Sequence, residues 1–318
     1  MNYENYIELY EAIYFFNRIN SSEFNQVIQP SEKEKISNLG LNESIYKSVL
    51  RILVVNNLLD YSDGYYILSD NNIKEQLHIL ENIINKDPNK QFEELFRKAT
   101  NETQFFFDNI NTSEYEIYSR CNFPNTFRIG KVVGQYIDLS NKKVIELGGN
   151  SGGLGSALLT ENENCHYTIV DTEIPCKVGN EFNEINELNI LFLEDDVFEL
   201  SLSKGIYDYV IIMNLLHDFD DRKCLDILQN CIKHCDKNTK FIIIEDILED
   251  EFQPKEVVMH GLRLSVECRG GKQRTEEEFV DLFSELNYEL EDSFKLNNVH
   301  TMLIMNYQDG INSSILRC

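Results

Sequence analysis

The sequence predicts an α/β protein: a Rossmann-like, doubly wound parallel sheet that ends in an antiparallel C-terminal strand pair, preceded by a helical, winged-helix-like module. Three observations predict it. From about residue 141 short β-rich runs alternate with amphipathic helical stretches. The last two runs, YELEDSFKLNN and VHTMLIMNY, have only a short connection and therefore pair antiparallel. The N-terminal part carries apolar residues at helical spacing, followed by a hairpin signature. At about 150 residues per domain, a chain of 318 residues suggests two domains or one large one. The boundaries read as 1–95 for the N-terminal module, 96–140 for a helical linker and 141–318 for the sheet domain.

Helical spacing is found in YIELYEAIYFF, in NQVIQ and in SIYKSVLRILVVNNLL, the last with Asn42 and Ser44 as caps. Asp63-Gly64 then sits between two short Tyr/Ile/Leu runs and reads as a two-residue hairpin turn. A further helix is expected over Asn71 to Asn85, and a break at KDPNK, residues 86–90. Winged helices often read DNA, but this recognition segment offers only Lys47 and Arg51 against Glu43. The first hundred residues hold 10 basic and 15 acidic side chains. No basic stripe is available to neutralise phosphates, so packing or dimerisation is the expected job of the module.

The whole chain points the same way. With 29 basic and 54 acidic residues its net charge is −25, which opposes nucleic acid and anionic membranes as partners. At 42% hydrophobic and 11% aromatic residues it is not a disordered polyelectrolyte. No apolar run approaches the roughly 18–20 residues of a membrane span. The first residues, MNYENYIELYEAIYFF, are acidic where a signal peptide is basic. A cytoplasmic protein is expected. Eight cysteines without a CxxC pair read as reduced thiols. Cys224, Cys231 and Cys235 beside His234 fall on one face of an amphipathic helix; they are expected as core residues, and no metal site is expected.

In the sheet domain KKVIEL, HYTIVD, NILFLE, YDYVIIMNLL and KFIIIEDIL read as buried parallel strands. The first ends in Glu146-Leu147-Gly148-Gly149 and passes through Asn150-Ser151-Gly152 into a helix. Glycines there let the backbone approach a ligand at the carboxyl end of the sheet. Alone, this turn is compatible with NAD, FAD or S-adenosylmethionine (SAM). Asp171 at the tip of the second strand can accept hydrogen bonds from ribose hydroxyls. Asp195 and Asp196 stand at the third tip. Carboxylates on three successive tips would repel a pyrophosphate, and they suit a ligand with a ribose, an amine and a sulfonium cation. That favours SAM. His217-Asp218 ends the fourth strand, where a histidine can take a proton near neutrality. By position alone a hydrogen-bonded core histidine is equally compatible.

GGNSGGLG, VDTEIP, EDDVF, NLLHDFDD, FIIIEDIL and GGKQRTEEEF occur in one order and spacing. The chain resembles the class I SAM-dependent O-methyltransferases of the plant caffeate and acetylserotonin type, which include bacterial polyketide and antibiotic methyltransferases. The resemblance is strong over about 140–307 and weaker over the N-terminal module, which in that family is a dimerisation domain. It implies SAM as cofactor, a small-molecule acceptor and a homodimer. Glu146, Gly148 and Gly149 would face the methionine part of SAM. Asp171 would hold the ribose, and Asp196 and Val197 would border the adenine, with Asp195 beside them. Met213 stands where many members have a lysine that contacts the cofactor. His217 matches the general base and Glu245 a carboxylate that positions it. Gln273 stands where plant members have a second glutamate, and Phe219 replaces the usual tryptophan. With one carboxylate lost the histidine is expected to be a weaker base, unless Glu267 supplies the charge. Gly270-Gly271-Lys272 and Arg274-Thr275 match a substrate-side loop. FFFDN and IYSRCNFPNTF, within the linker, offer an aromatic surface for the acceptor or, equally, for packing between domains.

The implied activity is transfer of a methyl group to a hydroxyl of a small aromatic or polyketide-like acceptor. Two alternatives stay open. One is a diverged member that performs N-methylation, hydroxylation, decarboxylation or cyclisation. The other is a winged-helix regulator that senses a small molecule, which the missing basic surface opposes.

Overall fold

The computed structural model describes residues 110–202, 207–268 and 270–308, with 43–62, 65–68 and residues 9, 12, 13, 15, 16, 27, 28 and 107 of the N-terminal part. The elements in chain order begin with β1 (Val27–Ile28), α1 (Glu43–Val55), β2 (Leu59–Ser62), β3 (Tyr65–Leu68) and α2 (Thr112–Val133). Then follow β4 (Lys143–Leu147), α3 (Gly153–Leu159), β5 (His166–Asp171), α4 (Glu173–Ile185), β6 (Ile190–Glu194) and β7 (Tyr209–Met213). A 3₁₀ turn (Leu216–Asp218) leads to α5 (Asp221–Ile232) and β8 (Lys240–Leu248). The chain ends in α6 (Lys255–Glu267), β9 (Arg274–Thr275), α7 (Glu276–Ser284), β10 (Tyr288–Lys295) and β11 (His300–Tyr307).

Two compact units result, one from Met1–Asp108 with Leu248–Thr275, the other from Asn109–Ile247 with Glu276–Cys318. In the first, the apolar face of α1 meets α6, and the Ser48 and Ser265 hydroxyls lie 2.8 Å apart. Leu9, Ile13 and Phe16 join Ile45, Val49, Leu53, Met259 and Leu262 in one buried cluster. The expected hairpin is present: β2 and β3 pair antiparallel with Ser62 opposite Tyr65, which leaves a two-residue connection. The turn residues Asp63 and Gly64 themselves lie outside the described residues, as do the expected helix over 71–85 and the break at 86–90. NQVIQ departs from the helical expectation. Its Val27 and Ile28 form β1, which pairs antiparallel with β3. A β-branched Val-Ile pair fits a pleated edge as readily as a helix, and pairing with the hairpin decides the outcome.

The second unit is the predicted doubly wound sheet, in the order β10-β11-β8-β7-β4-β5-β6. β8, β7, β4, β5 and β6 run parallel, and β11 and β10 close one side antiparallel. The chain winds outward from β4 through β5 to β6, then returns to the other side of β4 for β7 and β8. The carboxyl ends of β5 and β7 therefore flank that of β4, the switch point where such sheets bind ligands. Val144, Ile211, Ile242, Ile244 and Met302 fill the core on one face. NILFLE is only half-buried as β6 because it is an edge strand, with Leu191 56% exposed.

α2 lies directly on α3 because Gly130 and Gly153 let the helices approach. A Cβ at Gly153 would stand 2.1 Å from Thr126 Oγ1 and 2.4 Å from the Phe123 carbonyl. The backbone carbonyl cannot turn aside as a side chain can. Gly153→Ala is therefore expected to lower stability by about 1–3 kcal/mol, the usual cost of overpacking. Urea denaturation reads it, and an unchanged midpoint would mean that the two helices do not meet there.

Candidate active site

The first wall of the cleft is the turn from β4 to α3. Gly148 has φ +67° and its N–H donates to the Val170 carbonyl at 2.8 Å. That left-handed conformation suits glycine. A Cβ there would also come within 2.9 Å of Leu215 Cδ1, so the turn and the segment after β7 fit together only without one. A Cβ on Gly149 would press on the Glu146 carboxyl carbon at 2.7 Å. Glu146 is almost wholly buried, and the Tyr167 hydroxyl donates to its Oε2 at 2.9 Å. Burial, helped by Asp171 and partly offset by the Tyr167 hydrogen bond, raises the Glu146 pKa to about 8. No sequence motif singles out Tyr167. It lies two residues before Ile169, the register partner of Glu146, and that period-two spacing puts it on the same face.

Asp171 forms the second wall. Its Oδ2 accepts from the Asn150 N–H and its Oδ1 from the Thr172 N–H, both at 2.7 Å. Burial pushes its pKa up to about 6 against these backbone hydrogen bonds. The carboxylate is thus fixed in direction, with lone pairs left over. Asp195, at the tip of β6, holds its own loop together: Oδ1 accepts from the Asp196 N–H and Oδ2 from the Ser201 N–H. Asp196 is exposed and caps the same loop through the Phe198 N–H. The Val197 carbonyl accepts from Asn230 on α5. The tips of β4, β5 and β6 therefore do bring Glu146, Asp171 and Asp195 to one edge of the sheet.

The third wall follows β7. Met213 ends the strand, 5% exposed and part of the sheet core. Asn214 then takes a positive φ and the chain turns into Leu216–Asp218. Glu245 on β8 is fully buried, and its Oε1 accepts from the Leu215 and Leu216 N–H groups at 3.1 and 2.9 Å. Its Oε2 stands 2.8 Å from His217 Nδ1. The other ring nitrogen, Nε2, lies 3.6 Å from Asp218 Oδ1, and the histidine side chain is 16% exposed. Burial disfavours the charged ring, but Glu245, Asp218 and Asp246 more than offset it and raise the His217 pKa to about 9. Asp218, the chain neighbour of His217, and Asp246, next to Glu245 on β8, add negative charge beside the ring. Gln273 belongs to the other unit, buried, with its Oε1 lacking a hydrogen-bond partner among the described residues. The Glu267 side chain lies outside the described residues. Among the described residues no group of three or more His, Cys, Asp or Glu could hold a metal ion, and Cys224 and Cys231 are buried in the core.

A doubly wound sheet with acids at the switch point and a histidine–carboxylate pair beside them defines a class, that of α/β enzymes working over their strand tips. Within that class the chain belongs to the O-methyltransferase domain family, whose model matches residues 78–289. Acetylserotonin O-methyltransferase of Gallus gallus is 28% identical over 253 residues, which are 78% of this chain and 67% of that protein. A 3-O-methylredipecamine 2-O-methyltransferase of Carapichea ipecacuanha is 31% identical over 160 residues. That match takes in 47% of this chain and spans less than half, 42%, of the relative. Among solved structures, an O-methyltransferase family 2 protein from Planctomyces limnophilus DSM 3776, in complex with apigenin, superposes with a TM-score of 0.75. The overlap covers 96% of this chain and 93% of that one at 14% identity, a likeness of fold.

The His217 environment has a direct consequence. With a pKa near 9 in the fold and about 6.5 when unfolded, the protonated ring contributes stability that is fully present below about pH 6.5. That contribution is lost as pH rises through 9. Glu245→Gln removes the main support while burial remains, so the pKa falls to 6.5 or below. Titration of the histidine ring protons by NMR checks it; a variant that still titrates near 9 would contradict the assignment.

Proposed function

We propose that this chain transfers a methyl group from SAM to a hydroxyl of a small aromatic or polyketide-like acceptor of secondary metabolism. The observation that carries this reading is the His217–Glu245 pair at the tip of β7, beside a cleft of strand-tip carboxylates. When bound, SAM supplies an electrophilic methyl carbon on a sulfonium sulfur. The residues at the tips fit such a ligand. Asp171 is pre-aimed by two N–H groups and keeps lone pairs for the two ribose hydroxyls. The buried Glu146 offers a carboxylate to an ammonium group, and Gly148 and Gly149 allow the ligand close to the backbone. Asp196 and Val197 border the adenine, held in place by the loop that Asp195 caps. Met213 gives an apolar contact in place of the lysine of other members.

Proton transfer falls to His217. Its Nδ1 faces Glu245, which leaves Nε2 to take the acceptor's hydroxyl proton. Glu245 fixes the ring direction through the same carboxylate that holds the turn. Gln273 enters this reading through the family motif alone. The two cations that a DNA-reading helix would need, Lys47 and Arg51, both pair with Glu251 at 3.3 Å, which supports an enzyme over a regulator.

The homodimer is proposed from the resemblance. Leu9, Ala12, Ile13, Phe15 and Phe16 are buried within their own unit, so other residues of the N-terminal winged-helix-like module would form its face. Light scattering at tens of micromolar is expected to read two chains, and a monomer would count against it. A cytoplasmic location is proposed on the free thiols among the described cysteines. No helix among the described residues is long and apolar enough to cross a membrane.

His217→Ala tests the central role. Turnover with labelled SAM and a phenolic acceptor is expected to fall about 10²–10⁴-fold, while calorimetric affinity for S-adenosylhomocysteine stays near that of the parent. In the parent, turnover should climb until about pH 9, where the ring loses its proton. Equal turnover of parent and variant would remove the general-base role.

A further inference from the structure

A second histidine stands behind the first. His300 opens β11, directly opposite Asp246 in the antiparallel register with β8, while the neighbouring pair is Thr301 and Glu245. Its Nε2 is 3.2 Å from Asp246 Oδ1 and 3.3 Å from Asn214 Nδ2. Its Nδ1 is 3.3 Å from Asn297 Nδ2. The imidazole thus reaches both elements that carry the reactive pair: β8, next to Glu245, and the turn that leaves β7, three residues before His217.

The proton on this ring can be placed. Asn297 Oδ1 accepts from the Val299 and His300 N–H groups, both at 2.8 Å, so its amide orientation is fixed. The nitrogen end therefore faces His300 Nδ1, and a donor there requires an acceptor. Nδ1 carries no proton, and the single proton of a neutral ring sits on Nε2. Nε2–H then lies on the side of the ring that faces Asp246 and Asn214. Asn214 Oδ1 is buried without a hydrogen-bond partner among the described residues. Turning that amide over about its last bond, an equivalent fit to the same atoms, presents Oδ1 to Nε2–H.

We propose that His300 is a positioning residue for His217: its imidazole, set against both Asn214 and Asp246 through Nε2, joins the Asn214 turn to β8 behind the reactive pair. The word "reactive" rests on the proposed function; the tie between the elements does not. The charged groups that act on His217 are Glu245 and Asp246 from β8 and Asp218 from its own turn.

Two variants test this, each followed through the ring-proton titration of His217 and the kcat and KM of methyl transfer. His300→Phe removes the donor and should lower the His217 midpoint by about one pH unit. Above pH 9, where the ring is unprotonated in parent and variant alike, kcat should fall about tenfold with KM for SAM unchanged, and His300→Gln, which restores a donor amide, should recover most of both. An unchanged His217 midpoint in folded His300→Phe overturns the proposal. A midpoint that moves in an enzyme that methylates nothing upholds the tie and refutes only the assigned reaction.

Discussion

Burial of the Glu245 carboxylate governs the site. A carboxylate with no solvent exposure costs several kcal/mol unless it is paired, and here one oxygen is hydrogen-bonded while the other lies within ion-pair distance of a ring nitrogen. One oxygen accepts from two consecutive backbone N–H groups of the turn after β7, and the other faces His217. The turn therefore has a single favourable conformation, and the direction of the imidazole follows from it. Gly148 is bound to the same constraint from the other side, because Leu215, whose N–H Glu245 holds, occupies the space a Cβ at 148 would take. The ligand loop after β4 and the histidine turn after β7 are thus shaped together.

Charge explains the choice of ligand. Glu146, Asp171, Asp195 and Asp196 gather at adjoining strand tips, and Met213, at the end of β7, adds no positive charge beside them. A diphosphate would meet a field of its own sign. A sulfonium with an ammonium and a free ribose would relieve it. Burial already strains two of these acids towards protonation, so a cationic ligand gains by restoring their ionised forms.

The fold of the second unit was legible because each strand is a short apolar run and the crossovers α4 and α5 are amphipathic helices, so β4 to β8 follow from the alternation of the two patterns. Asp171, His217 and the Gly148 turn were legible for a related reason: strand tips mark the cleft edge. What stayed hidden depends on lateral neighbours. β6 reads as a buried strand, and only sheet order makes it an edge. Asp246 and His300 are 54 positions apart, and nothing local signals that β11 sets them side by side. The segment 248–275 joins the N-terminal residues in one unit because α6 buries Met259 and Leu262 against α1. Its amphipathic pattern is that of any other helix.

The central claim is that the cleft over β4, β5 and β7 binds SAM with its sulfur directed at His217. A crystal structure of the protein with S-adenosylhomocysteine tests it most directly. Both ribose hydroxyls are expected within hydrogen-bond distance of the Asp171 carboxylate, the ammonium beside the β4 turn, and the sulfur on the side of the cleft that His217 Nε2 faces. A ligand bound elsewhere, or bound with its ribose away from Asp171, would contradict it.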